Sequence, residues 1–165
     1  MKCIVNLLDQ TQLNFEKFEQ GKYSSSSAEL STLWKTQKLG FHMEILRPGT
    51  FSCPYHLHHY EEELFIAFKG SAMVRQDNEF FEMKEGDLIV FKAGVAHQFY
   101  NHTQLPFQFL ALSNKDPNEI CEYPDSNKTW DRQQKKLFQN GVEVKDYWKD
   151  EENPDHFWPE NLISK

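Results

Sequence analysis

At 165 residues, with 39% hydrophobic and 15% aromatic content, the chain holds enough apolar material for one core and too little for two full-sized domains. Its formal charge of -7 repels phosphate backbones and anionic bilayers, and no stripe of Lys and Arg offsets it, so neither nucleic acid nor membrane is an expected partner. No apolar run approaches the roughly 18 residues of a membrane span, and Met1–Asp9 lacks the apolar region of a signal peptide. Cys3, Cys53 and Cys121 cannot all pair with one another, so a cytoplasmic protein with reduced thiols is expected.

Residues 1–38 are polar and mixed and read as an N-terminal extension, in which the run Ser24–Ser27 is expected to be a loop. From Leu39 onward short strands are separated by turn residues, the pattern of a β-sandwich or barrel. Phe41, Met43 and Ile45 alternate with His42, Glu44 and Leu46 until Pro48 and Gly49 stop the strand. Glu63–Lys69 is nearly continuous apolar after its carboxylates and ends at Gly70. Met73–Gln76 and Phe80–Met83 flank Asp77 and Asn78, a two-residue hairpin whose Asn tolerates positive φ. Leu88–Phe91, His97–Asn101 and Phe107–Leu112 complete roughly eight strands of jelly-roll type.

Inside this stretch lies the chemistry. In an extended strand alternate side chains share a face, so His56 and His58 project together while Leu57 projects away. Glu63 follows within the same glycine-bracketed segment, Gly49 to Gly70, and His97 sits in a second segment beginning at Gly86. Three imidazoles and a carboxylate form a borderline-hard ligand set. It suits a divalent transition metal (Mn, Fe, Co, Ni, Cu or Zn) better than Ca or Mg.

With these two segments the chain resembles the cupin superfamily. The first motif of that family, a Gly followed by His-x-His, a Glu and a Gly, is matched through His56, His58, Glu63 and Gly70, and the second through Gly86, Gly94, His97 and Asn101. Gly49 stands one residue farther from His56 than the motif has it, and Lys92 occupies the proline position; both bear on loop shape and not on the ligands. The resemblance implies an all-β, double-stranded β-helix of jelly-roll form over residues 39–113, with N- and C-terminal extensions. Its metal would be held by His56, His58, Glu63 and His97. Glu62 also satisfies the looser spacing, but Glu63 keeps the six-residue distance to Gly70.

Residues 114–165 turn charged and aromatic, with Trp130, Tyr147, Trp148 and Trp158, and Asn140-Gly141 marks a hairpin between Lys136–Phe138 and Val142–Val144. So aromatic a tail is expected to pack on the barrel or on a partner subunit, and a homodimer is expected. The tail is similar to the C-terminal extension of a group of small bacterial cupins with a stretch like Glu122–Ser126, a similarity that names no reaction.

Ordinary roles suit other polar residues. His42, His59, His102 and His156 read as satisfied core or surface residues, Cys53 as a small buried residue with a ligand or substrate-contacting role as the alternative, and Arg47 as an ion-pair residue with a carboxylate clamp as the alternative. Of Tyr55, Phe65, Gln98 and Tyr100, some must line the cavity, and alternation does not say which. Four protein ligands leave one or two metal positions open. Two functions follow: a metal-dependent enzyme on a small polar metabolite, of oxygenase, isomerase or decarboxylase type, or a non-catalytic module that binds a sugar or other metabolite.

Overall fold

The computed structural model describes residues 4–163. Strands β1 (Glu16–Gln20) and β2 (Tyr23–Glu29) form a hairpin, and one helical turn, α1 (Ser31–Trp34), leads into β3 (Leu39–Leu46). The central strands are β4 (Leu57–His58), β5 (Glu63–Lys69), β6 (Ser71–Gln76), β7 (Glu79–Lys84), β8 (Leu88–Phe91), β9 (His97–Tyr100) and β10 (Phe107–Asn114). The C-terminal part adds β11 (Ile120–Tyr123), β12 (Lys128–Asp131), β13 (Lys136–Gln139) and β14 (Val142–Val144). The antiparallel sheets have the orders β1-β2-β3-β10-β5-β8, β14-β13-β12-β11-β4 and β7-β6-β9.

The all-β reading of residues 39–113 holds, and the strand bounds expected from the turn residues match closely. The expectation for Ser24–Ser27 does not hold. These serines are the middle of β2, paired on one side with β1 and on the other with β3, and Ser24 and Ser25 are buried. Strand preference is set by neighbours on the pleated surface, and a small side chain is tolerated where two flanking strands supply every backbone partner. In the β6–β7 hairpin the left-handed residue is Asp77 (φ 50°) and not Asn78; both short polar side chains tolerate that conformation. The tail hairpin forms as read, with positive φ at Asn140 and Gly141, which suits a primed turn.

Inward-facing side chains of β3, β5, β6, β7, β8, β9 and β10 fill the barrel, with Phe65, Phe91, Phe99, Phe107 and Phe109 at its centre and Ala67, Ala72 and Ala111 between them. Large rings against small residues let the two walls interdigitate, and each fully buried ring contributes roughly 1.5–3 kcal/mol. Gly70 turns the chain between β5 and β6 at φ 78°, where a Cβ would stand 2.7 Å from the Pro106 carbonyl oxygen, so only glycine fits. A second core lies beneath: Trp158 of the tail packs with Tyr23, Phe51, Met73 and Tyr100, and its indole N–H donates to Gln98 at 2.8 Å.

The C-terminal sheet joins the barrel through β4, where Cys121 pairs with His58 and Glu122 with Leu57. One polar clasp, Arg75 on Asp125, ties it to the barrel, and Lys128 ties segments of the tail to one another. Arg75 donates to both oxygens of Asp125 at 2.6 and 3.0 Å, and Lys128, fully buried, reaches Glu151 at 2.9 Å and the Tyr147 carbonyl at 2.5 Å.

Candidate metal centre

Backbone pairing brings the two motif segments together. His56 and His97 exchange both backbone hydrogen bonds (3.2 and 2.8 Å), and Gly94 N–H donates to the His58 carbonyl at 2.7 Å. Glu63 opens β5 opposite them, and its Oε2 lies 2.9 Å from His97 Nε2, 3.3 Å from His58 Nε2 and 3.8 Å from His56 Nε2. The structure therefore gathers all four sequence-predicted side chains at one point. Glu62 is exposed and turned away.

Each imidazole has its other nitrogen occupied. His56 Nδ1 lies 2.9 Å from the Pro54 carbonyl, His97 Nδ1 3.2 Å from the Val95 carbonyl, and His58 Nδ1 3.1 Å from Glu119 Oε1. A carbonyl or carboxylate only accepts, so each Nδ1 carries the proton and each Nε2 presents a lone pair. Phe91 stacks flat on His97 at 4.0 Å and fixes its ring plane. Glu63 Oε2 and His97 Nε2 are both buried and, though 2.9 Å apart, neither has a hydrogen-bond partner among the described residues. Two acceptors face each other with no donor between them, the signature of a cation site.

The electrostatics agree. Burial alone would raise the Glu63 carboxyl, but the surrounding imidazoles of His56, His58 and His97 outweigh it and hold the group well below the usual range. Burial lowers His97, and the neighbouring His56 charge lowers it further. Burial also works against charge on His56, yet Cys53 and Glu63 overcome it and raise this imidazole well above its ordinary value.

The tail builds the support behind these ligands. Glu119, almost fully buried, accepts His58 Nδ1–H and the His59 N–H on Oε1, and the N–H groups of Tyr60 (3.0 Å) and Glu61 (2.9 Å) on Oε2. His58, Glu61 and Glu119 also cluster closely enough to suggest a second ion site. Glu61, however, is already neutralised by a two-pronged contact with Arg132, so this group is a buttress for His58.

A cavity of about 350 Å³ opens over the cluster. Beside the four side chains it is lined by Cys53 and Phe65, by Tyr123, Trp130, Arg132 and Tyr147 from the tail, and by His42 and Glu44 from β3. Burial pushes the Tyr123 and Tyr147 phenols up, so both remain neutral donors. Glu44 Oε2 lies 3.3 Å from His42 Nε2, while its Oε1 is buried without a partner. Reading His42 as an ordinary satisfied residue missed this pair. The available signal was phase: His42 and Glu44 alternate in step with Leu46, which is wholly buried in the barrel core.

Other sequence candidates lie elsewhere. Arg47 meets Glu19 on the surface at 3.6 Å, Tyr55 lies under the Arg75 guanidinium, Gln98 bridges Trp158 and the Cys53 carbonyl, and Tyr100 belongs to the lower core. His59 pairs with Glu122 at 2.9 Å and His102 with Glu82 at 3.5 Å, and His156 is exposed. Cys53 is half-buried and lies 3.6 Å from His56 Nδ1, on the side away from the converging Nε2 atoms. Cys121 is a free thiol, and Cys3 lies outside the described residues.

The sequence pattern of the family described as the cupin domain matches residues 42–113. Residues 42–113 are a cupin domain. An uncharacterised protein of Methanocaldococcus jannaschii is 33% identical over 71 residues, which are 41% of this chain and 57% of that protein's length. Among solved structures, a candidate sugar phosphate isomerase from Acidithiobacillus ferrooxidans superposes with a TM-score of 0.72 at 21% identity, over 86% of this chain and 89% of its own. A sugar phosphate isomerase of the cupin superfamily from Silicibacter pomeroyi superposes at 0.66 and 23% identity, over 82% and 88% of the two chains. These likenesses establish the fold of the cupin barrel. Its motif departures are absorbed locally: with Lys92 in place of proline the turn still closes, Val95 N–H donating to the Lys92 carbonyl at 3.1 Å. Asn101, wholly buried, donates to the Leu46 and Leu105 carbonyls and accepts the Thr103 N–H, so the last motif residue holds a loop and not a ligand.

Proposed function

We propose that His56, His58, Glu63 and His97 hold one divalent transition-metal ion, and that the protein is a metal-dependent cupin enzyme acting on a small polar metabolite in the cavity above it. The observation that carries this reading is the arrangement of protons: three Nδ1–H groups face acceptors, so three Nε2 lone pairs and Glu63 Oε2 meet with no hydrogen among them. Such a nitrogen-rich donor set fits Mn, Fe, Co, Ni, Cu or Zn.

A bound ion would supply Lewis-acid polarisation of a substrate oxygen. The chain supplies the rest. Glu119 keeps His58 in its ligating tautomer, Phe65 and Phe91 keep water from the inner side of the cluster, and the tail tyrosines offer neutral donors at the rim. His42, hydrogen-bonded through Nε2 to Glu44, is a proton-carrying group in the cavity outside the ligand set. Isomerisation, which needs a proton moved and no net redox change, suits that equipment best. It also accords with the names of the two similar structures.

Elemental analysis of purified protein tests the metal. Roughly one ion per chain is expected. His56→Ala, His58→Ala and His97→Ala should each strongly lower occupancy while circular dichroism still reports a folded β protein, and Glu63→Gln should weaken binding more than Glu62→Gln. Full occupancy in the triple His→Ala variant rejects the assignment.

A further inference from the structure

We propose that Lys38, Lys115 and Arg132 form an anion subsite at the mouth of the cavity and hold the phosphate of a phosphorylated, hydroxyl-bearing substrate. This rests on the reading of the cavity as the substrate site.

The three cations come from separate stretches of chain, and backbone contacts bring them together. Lys115 N–H donates to the Lys38 carbonyl at 2.9 Å where β10 meets the start of β3, and the Arg132 guanidinium donates to the Asp116 carbonyl, next to Lys115, at 2.8 Å. All three line one cleft. Arg132 also lines the cavity, and Lys115 lines a second depression together with His42 and Glu63, so the cationic cleft and the cavity are joined through shared walls.

Two of the charges are available, and Arg132, its charge met by Glu61, adds directed N–H donors. Lys38 is exposed and makes no ion pair among the described residues, and Lys115 uses one N–H on the Thr36 carbonyl at 3.3 Å, leaving two donors. Arg132 is anchored by Glu61, which fixes its position and leaves donors over. Asp116 is the acidic neighbour in the cleft, and its Oδ1 is taken by the Asn118 N–H at 2.8 Å. With Glu61 and Asp116 counted against Lys38, Lys115 and Arg132 the cleft keeps one net positive charge on a chain of charge -7, and its lysine and guanidinium N–H donors suit the several acceptor oxygens of a phosphate monoester. With the anion at the mouth, the rest of the molecule extends inward toward the Glu44 carboxylate, whose unpartnered oxygen calls for a hydroxyl donor.

Isothermal titration calorimetry of the full chain with inorganic phosphate, D-ribose 5-phosphate, D-ribose and D-ribonate tests the subsite. Saturable binding of both phosphates is expected, with the sugar phosphate at least about tenfold tighter than ribose or ribonate. The Lys38→Glu, Lys115→Glu double variant should abolish that preference with metal content unchanged. Retention of the preference in the variant overturns the proposal, as does equal affinity for ribose or ribonate, or absence of phosphate binding. Because these lysines lie outside the ligand cluster, phosphate should still bind in the His97→Ala variant. Metal retained in His97→Ala with phosphate binding intact would mark a failure of the metal reading alone, whereas metal lost there with no phosphate bound by the wild-type chain would mark a failure of the subsite alone.

Discussion

Two walls meet at the candidate metal centre, and they are built on different principles. The barrel wall carries His56, His58, Glu63 and His97 within two short segments, with the His56 and His97 rings each tied to a carbonyl two residues back. The tail wall carries Glu119, Tyr123, Trp130 and Arg132, delivered by the pairing of β11 with β4. On the barrel side, spacing along the chain is the geometry, because the side chains that converge and the residues that turn the backbone are neighbours. On the tail side the geometry exists only after a long-range pairing forms. Function needs both, since His58 is aimed by Glu119, 61 residues away.

Legibility in the sequence follows the same division. The convergence of His56, His58, Glu63 and His97 and the strand bounds over residues 39–113 could be read from alternation, glycine positions and the spacing of the two cupin-like segments. The buttress carboxylate could not, because Asn118-Glu119 resembles any polar turn until its four donors are assembled around it. Ser24–Ser27 was misleading for a related reason: composition describes isolated propensity, while β2 is made by the strands on either side of it. His42 and Glu44 fell between the two cases, since alternation placed them on one face without saying which face is inside.

If the tail wall matters as much as the ligand wall, Glu119→Ala should have the largest effect of any single change outside the cluster. It strands three backbone N–H groups and the His58 Nδ1–H in a buried site. A loss of about 3–5 kcal/mol in denaturant unfolding is expected, with metal affinity lowered about 10–100-fold. Unchanged affinity in Glu119→Ala would reduce the tail to a passive cover. Next comes Lys128→Met, which leaves Glu151 buried without its ammonium. This should cost about 3 kcal/mol in the same measurement, yet leave metal content intact, since Lys128 anchors the tail without touching the cluster. Metal loss in this variant would mean that the two walls cannot be separated.

The smallest expected effect on folding lies where neither wall reaches, and it concerns assembly. The N-terminal part covers one end of the outer face of the six-stranded sheet: Leu13 and Leu30 pack over Met43, Phe41 and Leu110. At the other end β8 pairs, among the described residues, only with β5, and its outward residues Leu88 and Val90, 58% and 47% exposed, stand in register with Ile66 and Leu64. An apolar row on an open sheet edge favours pairing with a second copy, and a two-fold axis would cover both edges at once. We therefore expect a homodimer by light scattering at micromolar concentration. The Leu88→Lys, Val90→Glu double variant should be monomeric, with unfolding stability changed by no more than about 0.5 kcal/mol beyond the loss of association. A wild-type mass near 19.6 kDa rejects the dimer. A variant that remains dimeric would move the interface away from β8 and toward the tail, making the wall that supports His58 the one that also binds the partner.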